Sequence, residues 1–475
     1  MTTLRDYQQK ALDEIRSHYA KGEKRVLLHL ATGGGKTIVF SEVLKGVISK
    51  GKKAIMVVRG KDLIEQTSQR LMREGVPHGC LQANHWNYNP TAPIQICSVD
   101  TLFRRKLKPE ANLVVIDECH LSRSPSFEWV ISQYPDAFFL PVSATPHHKK
   151  GLRHIADIVV YPITIKDLIE QRYLSRPRYF MPTKIDLSSV SIDRTTSDYN
   201  IEETAAALVG STVYGDIISQ YKKLCHGKSA VAFAVNIEHS KIIVEMFLAE
   251  GISAEHVEAN TPAEHRASVI SRLKSGETKV VSNVGILTTG VDLPFLEVVI
   301  LARPTKSYNL YIQACGRGTR VTDTKSEFLI LDHTNNISEH GFIEDEKLCS
   351  LDPIGKKVKK HLGPIIVTCM NCYGTFEYEK EMKNDCPLCG HSMKAEHSKA
   401  KKILAERVEA ELIEVSARAI DLKWTKILRK IDSVISHGYK KGSVYYWCKD
   451  NFGQEYANEI SKRVEKEFKS RNYNP

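Results

Sequence analysis

Short apolar runs separated by longer stretches of mixed polarity set the rhythm of the first 160 or so residues. The runs fall at 26–30, 54–58, 94–98, 113–116 and 138–142, the length of strands buried on both faces. Between them lie helical candidates, such as Gly60 to Glu74. Strand and helix in alternation predict an α/β domain with a doubly wound parallel sheet. A polar, Ser- and Thr-rich stretch from Thr183 to Asn200 then reads as a linker or an excursion. The alternation resumes with runs at 230–235, 279–282, 297–302 and 328–332 and a helical segment from His239 to Glu250. Two α/β units of similar size in tandem are therefore expected, at 1–165 and 166–350.

Past residue 350 the texture changes. A Lys-rich joint, Gly355 to Lys360, leads to four cysteines within a small segment expected at 360–394. The remainder, 395–475, reads as a basic helical extension. In it Leu404, Val408, Leu412 and Val415 recur at amphipathic spacing, a second helix runs from Ile420 to Ile435, and Tyr439 to Phe452 is aromatic and basic. A length of 475 residues agrees with several domains, at roughly 150 residues each.

Charge adds a partner to this picture. The formal net charge is +11, and residues 351–475 hold 24 Lys and Arg against 17 Asp and Glu. A basic surplus at one end suits a polyanion such as nucleic acid, or merely a solvated surface. The N-terminus lacks a signal-like apolar core, and no apolar run approaches the roughly twenty residues that span a bilayer. A cytoplasmic protein with no membrane partner is expected.

The chemistry concentrates at the ends of the apolar runs. Ala31-Thr32-Gly33-Gly34-Gly35-Lys36-Thr37 follows the first run and opens a helix, the setting in which small residues let backbone N–H groups cradle phosphate. Leu30 stands where the full phosphate-loop pattern has its first glycine. Lys36 would reach the β- and γ-phosphates of ATP, and the Thr37 hydroxyl would hold Mg²⁺. About eighty residues on, Asp117-Glu118-Cys119-His120 ends the run Leu113 to Ile116. Asp117 would bind the same Mg²⁺, and Glu118 would polarise the attacking water.

The second unit supplies Gln313-Ala314-Cys315-Gly316-Arg317-Gly318-Thr319-Arg320, whose arginines share one face if the segment is helical. Facing a γ-phosphate they would act as arginine fingers; otherwise they are surface residues. In Thr288-Thr289-Gly290-Val291-Asp292, Asp292 would accept from a ribose hydroxyl or simply shape a turn. Ser143-Ala144-Thr145 follows a strand and is placed to couple the carboxylates to the neighbouring unit. Arg5 and Gln8, in Leu4-Arg5-Asp6-Tyr7-Gln8, are placed to clasp adenine.

Taken in order, these segments resemble the DEAD/DEAH-like helicases and translocases of superfamily 2, over residues 4 to about 332. "LRDYQQ", "DECH", "SATP", "TTGVDLP" and "GRGTR" resemble its RadD-like and type III restriction-like group, as does a cysteine cluster after the second unit. The resemblance implies two RecA-like domains closing on ATP. It implies catalytic roles for Lys36, Asp117, Glu118, Gln313, Arg317 and Arg320. Nucleotide contacts would come from Arg5, Gln8, Thr32, Gly33, Gly34, Gly35, Lys36, Thr37, Gly290 and Asp292. Coupling would fall to His120, Ser143 and Thr145, and Arg59, Thr101 and Asn283 would touch a nucleic-acid strand, mostly at phosphates. An ATP-dependent DNA helicase or translocase serving repair, recombination or replication is the expected function, with a single-strand-binding or repair protein as a further partner. An RNA helicase, or a DNA-dependent ATPase that remodels complexes or serves a restriction enzyme without unwinding, stands as the alternative.

Cys369-x-x-Cys372, thirteen residues, and Cys386-x-x-Cys389 form two knuckles that would give four thiolates to one structural Zn²⁺. A redox pair is the other reading. Such a ribbon would serve nucleic acid, a protein partner or only the motor core. In the tail Tyr439, Tyr445, Tyr446, Trp447 and Phe452, with Lys440, Lys441 and Lys449, would stack bases or fill a small core.

Overall fold

The structure, a computed structural model, describes residues 3–82, 85–181, 187–193, 195–209, 213–288, 291–345, 349–353, 365–378 and 384–400. Within 401–475 it describes 442–452 and positions 427, 430, 431, 434, 435, 461, 464, 465 and 468. Residues 1–393 form one compact unit and 394–475 another.

The first unit holds two parallel sheets. The N-terminal lobe uses β1 (Val26–His29), β2 (Ala54–Val58), β3 (Gly79–Leu81), β4 (Ile94–Ser98), β5 (Leu113–Asp117), β6 (Phe138–Ser143) and β7 (Ile158–Val160). Their spatial order is β3-β4-β2-β5-β6-β1-β7, and every pairing is parallel. Helices α1 (Asp6–Ala20), α2 (Lys36–Ser49), α3 (Lys61–Arg73) and α4 (Val99–Arg105) connect or cover these strands. The second lobe uses β8 (Arg176–Phe180), β9 (Ala230–Phe233), β10 (Ala254–Val257), β11 (Val280–Asn283), β12 (Val298–Leu301) and β13 (Glu327–Asp332), in the order β10-β11-β9-β12-β13-β8, again all parallel. These are the two RecA-like sheets.

Register fixes where the chemistry falls. His29 lies level with Ser143, and Val142 lies level with both Leu28 and Asp117. The C-terminal ends of β1, β6 and β5 thus stand side by side, the edge at which open α/β sheets bind ligands.

In its described part, the stretch after β8 packs back on the second lobe. Asp198, 6% exposed, accepts hydrogen bonds from Thr305 Oγ1 and Lys306 N, both at 2.6 Å. Past the second lobe the chain returns to the first. Leu351 is buried in the apolar cluster with Leu152, Ile155 and Ala156, and its carbonyl accepts from Leu152 N and Arg153 N at 2.7 and 3.0 Å. Arg153 grips Asp352 with two hydrogen bonds, at 2.9 and 3.2 Å.

A hairpin of β14 (Ile366–Thr368) and β15 (Thr375–Glu377) carries the first cysteine pair. It abuts the edge strand β8 through a bridge between Phe180 and Gly374, and Lys223 Nζ donates to Asn371 O at 2.9 Å. Of the roles open to this segment, the structure shows contact with the motor core.

In the 394–475 unit, Ile427, Ile431, Val434, Val444, Cys448, Val464 and Phe468 make a small core. Tyr445 and Trp447 pack against it, whereas Tyr446 is 64% exposed. The expected positions Leu404, Val408, Leu412, Val415, Tyr439, Lys440 and Lys441 lie outside the described residues, as do the Phe452 side chain and the 355–360 joint. Among the described residues no helix is long and apolar enough to cross a membrane.

Candidate nucleotide site and cysteine cluster

The loop between β1 and α2 is shaped by its glycines. Gly33 and Gly35 hold φ of 82° and 84°, a left-handed conformation that costs little only without a Cβ. Gly35 is also the N-cap of α2, and a Cβ there would stand 2.3 Å from Gln8 Nε2. The loop thus runs straight into the N-terminus of α2, the end of a helix whose first backbone N–H groups favour an anion.

Gln8 and Tyr7 brace this loop from α1. Gln8 Nε2 and the Tyr7 hydroxyl both donate to Gly34 O, at 3.2 and 3.0 Å, and Gln8 Oε1 accepts from Arg5 N at 3.0 Å. The Gln8 amide is therefore engaged by protein on both sides. Arg5 lies over the Tyr173 ring at 4.3 Å, and Tyr7 meets Tyr173 at 5.5 Å. Sequence spacing marks neither tyrosine for this role: Tyr7 lies within the Leu4–Gln8 segment, and Tyr173 lies in no motif.

Lys36 is half-buried, and its desolvation drives its pKa down while the charges of Glu118 and Asp117 pull it back up. Burial and the adjacent Glu118 push Asp117 up to about 6. A hydroxyl at Thr37 and a half-buried carboxylate at Asp117 are hard oxygen donors of the kind that hold Mg²⁺. Glu118 takes a left-handed φ of 50° just past β5. Its Oε2 lies 3.5 Å from Ser143 Oγ and 3.4 Å from His120 Nδ1. Ser143 Oγ in turn meets His120 Nδ1 at 3.2 Å and accepts from Thr145 N at 3.0 Å. Burial lowers His120 to about 4, so it is neutral at physiological pH. The structure brings the Glu118, His120, Ser143 and Thr145 candidates together in one network.

The second lobe closes over this loop. A Cβ on Gly316 would stand 3.1 Å from Thr32 Cβ, and one on Gly33 would stand 3.7 Å from Arg320 Cγ and 2.8 Å from Leu174 Cδ2. Arg317, 6% exposed, donates from Nη1 to Val291 O and from Nη2 to Thr288 O, the latter at 2.6 Å. Burial and the neighbouring Arg320 lower its pKa to about 10. Arg320 Nη1 pairs with Asp292 Oδ1 at 2.5 Å, so the Asp292 carboxylate faces an arginine in this state. Gln313 lies buried on the helix Tyr308–Cys315. On the same helix Asn309 Nδ2 donates to His147 O at 3.0 Å, a contact between lobes that no sequence pattern announced. Gly290 lies outside the described residues.

The strand-contact candidates divide. Thr101 lies half-buried in the first turn of α4, at the same sheet edge as Arg59. Arg59 is engaged within its lobe, donating to Ser124 Oγ and Ser126 Oγ at 2.7 and 3.2 Å. Asn283 is fully buried, its Nδ2 donating to Ala232 O at 2.9 Å and its Oδ1 accepting from Leu287 N at 3.2 Å. The structure does not bring Asn283 to the surface; it shapes the loop after β11.

The four cysteine sulfurs lie within 4.8 Å of one another, with Cys369–Cys389 at 3.7 Å and Cys372–Cys386 at 3.6 Å. Zinc–sulfur bonds of about 2.3 Å in a tetrahedron set sulfurs roughly 3.8 Å apart, so the donor set fits Zn²⁺. Two similar turns present them: Cys369 O accepts from Tyr373 N at 2.8 Å, and Cys386 O accepts from Gly390 N at 2.9 Å. Purified protein is expected to carry one zinc per chain by elemental analysis, and Cys372→Ser to lose it with a lower melting temperature. A metal-free protein that melts as the loaded one does would argue against a structural metal.

Comparison with known proteins accords with this geometry. Residues 1–148 match the family described as type III restriction enzyme, res subunit, and residues 216–322 match the helicase conserved C-terminal domain. The chain is 29% identical over 395 residues to a 51.5 kDa protein of a Lactococcus phage, covering 82% of each. It is 30% identical over 353 residues to the putative ATP-dependent helicase IRC3 of Saccharomyces cerevisiae, covering 69% of this chain and about half, 51%, of that protein. Among solved structures, a fragment of a putative HsdR subunit of a type I restriction enzyme from Vibrio vulnificus superposes with a TM-score of 0.56 at 19% identity, over 72% of this chain and 67% of that one. The Type ISP restriction-modification enzyme LlaBIII bound to DNA gives 0.55 at 18% identity, over 70% and 28%. The chain thus carries a res-subunit domain followed by a conserved helicase C-terminal domain, the tandem ATP-hydrolysing motor of a superfamily 2 helicase of the res-subunit type.

Proposed function

We propose that this chain is an ATP-dependent DNA helicase or translocase. One observation carries the reading: Gly316 to Arg320 of the second lobe sit directly on the Thr32–Gly35 loop of the first, beside the Lys36, Asp117 and Glu118 cluster. ATP held by that loop would meet charge-stabilising groups from both lobes, so its hydrolysis would change how the lobes fit together. Thr37 and Asp117 would hold Mg²⁺, which would neutralise phosphate charge when bound. Glu118, at the centre of its hydrogen-bond network, would orient the attacking water and take its proton. Arg320 would exchange Asp292 for the γ-phosphate. DNA is the favoured polymer because the N-terminal match is to a restriction-enzyme subunit. Repair, recombination or replication is the setting such a motor would serve.

Phosphate release tests the proposal. ATP turnover is expected to rise strongly with single-stranded, duplex or forked DNA. Turnover indifferent to all nucleic acids, or raised only by RNA, would overturn the DNA assignment.

A further inference from the structure

The loop after β3 holds a tryptophan in the open. Its turn folds back on the strand, with Cys80 N donating to Asn87 O at 2.9 Å and Asn87 Nδ2 to His78 O at 3.2 Å. On its returning arm Trp86 is 59% exposed, and Tyr88 nearby is 57% exposed. The indole is nevertheless fixed in place. Its Nε1 donates to both oxygens of Glu65 on α3, at 3.0 and 2.9 Å, and the ring lies 5.4 Å from His85 at an interplanar angle of 31°. Glu65 is itself fully engaged, since Gln69 Nε2 donates to Oε1 at 2.7 Å and His85 Nε2 lies 3.0 Å from Oε2.

The position of this ring is set by register. Leu81 lies level with Cys97, Val58 with Ser98, and Asn87 pairs back onto Cys80, so Trp86 stands beside the sheet edge from which Arg59 and Ser98 to Thr101 emerge. It is the outer end of that edge, because β3 is the last strand of the sheet. A large aromatic face kept in water and locked at its polar end loses little side-chain freedom when a second flat apolar surface settles on it. The bases of a single strand present such faces whatever their sequence.

We infer that Trp86 is a stacking platform for an unpaired nucleobase of a strand crossing the top of the first lobe, an inference that rests on the proposed nucleic-acid motor. Tyr88 extends the same aromatic surface. The platform is non-specific in sequence and favours a single strand over the interior of a duplex, where each base is held between stacked neighbours on both faces.

The test is binding of a labelled single-stranded oligonucleotide to the full chain, read by fluorescence anisotropy. A strand of equal length carrying abasic residues serves as comparison. Trp86→Ala is expected to weaken binding to the normal strand about tenfold or more, with Trp86→Phe recovering most of the loss. Wild type is expected to prefer the normal strand over the abasic one, and Trp86→Ala to lose that preference while its DNA-free ATP turnover stays unchanged. Undiminished binding and preference in Trp86→Ala would overturn the platform alone. Wild type that binds no strand would overturn the motor reading and the platform with it.

Discussion

Alanine in place of Lys36 is expected to abolish ATP turnover, with and without DNA, while leaving the chain folded. The ammonium is half-buried at the start of α2, where the charges of Glu118 and Asp117 work against the cost of its desolvation and keep it protonated for a phosphate. Removing it would take away the fixed positive charge that meets the β- and γ-phosphates. Loss of one such pre-organised charge is worth at least about 10²–10³ in rate. Folding should survive because the loop is held by Tyr7, Gln8 and the glycines, none of which depends on Lys36. Phosphate release together with a thermal melt checks both halves. Turnover near wild type in Lys36→Ala would remove the residue from the site.

The two arginines of the second lobe are expected to fail differently. Arg320→Ala should lower turnover by about 10³-fold or more, the scale of a lost arginine finger, with an unchanged melting temperature. Its guanidinium is held by an exchangeable partner, the 58% exposed Asp292 side chain. Arg317→Ala should lower turnover and also destabilise the fold. It would leave the buried carbonyl of Thr288 and the partly buried one of Val291 without their donor, at about 1–3 kcal/mol for a fully buried unsatisfied group. Paired kinetic and melting measurements distinguish the outcomes. A stable Arg317→Ala protein would show that those carbonyls find other partners, and an active Arg320→Ala protein would take Arg320 out of the mechanism.

What the sequence made legible follows from where hydration reaches the sheets. The nine expected apolar runs correspond to the interior strands β1, β2, β4, β5, β6, β9, β11, β12 and β13. The four strands without an expected run, β3, β7, β8 and β10, are the outer strands of the two sheets. An edge strand has a neighbour on one side only and tolerates short or polar sequence. Gly79–Leu81 and Ile158–Val160 are three residues each, and Arg176–Phe180 and Ala254–Val257 carry charges. The nucleotide site was legible for the same reason in reverse. Its glycines, lysine and carboxylates follow interior strands, where few other residues satisfy the geometry. Contacts between lobes, such as Asn309 with His147, and the side-chain partners of Gln8 and Asn283 depend on tertiary placement that no local spacing encodes.

The return of Leu351 to the first lobe means that this lobe is discontinuous in sequence: a side chain close to two hundred positions downstream completes its core. A fragment cut at residue 165 would expose the seat of that leucine, and one cut at 345 would keep both sheets yet leave the seat empty. Burying a leucine contributes about 1.5–3 kcal/mol, a sizeable share of a single domain's stability. Fragment boundaries drawn from the ends of the two sheets would therefore yield a weakened first lobe, whereas a boundary beyond Asp352 keeps its core whole.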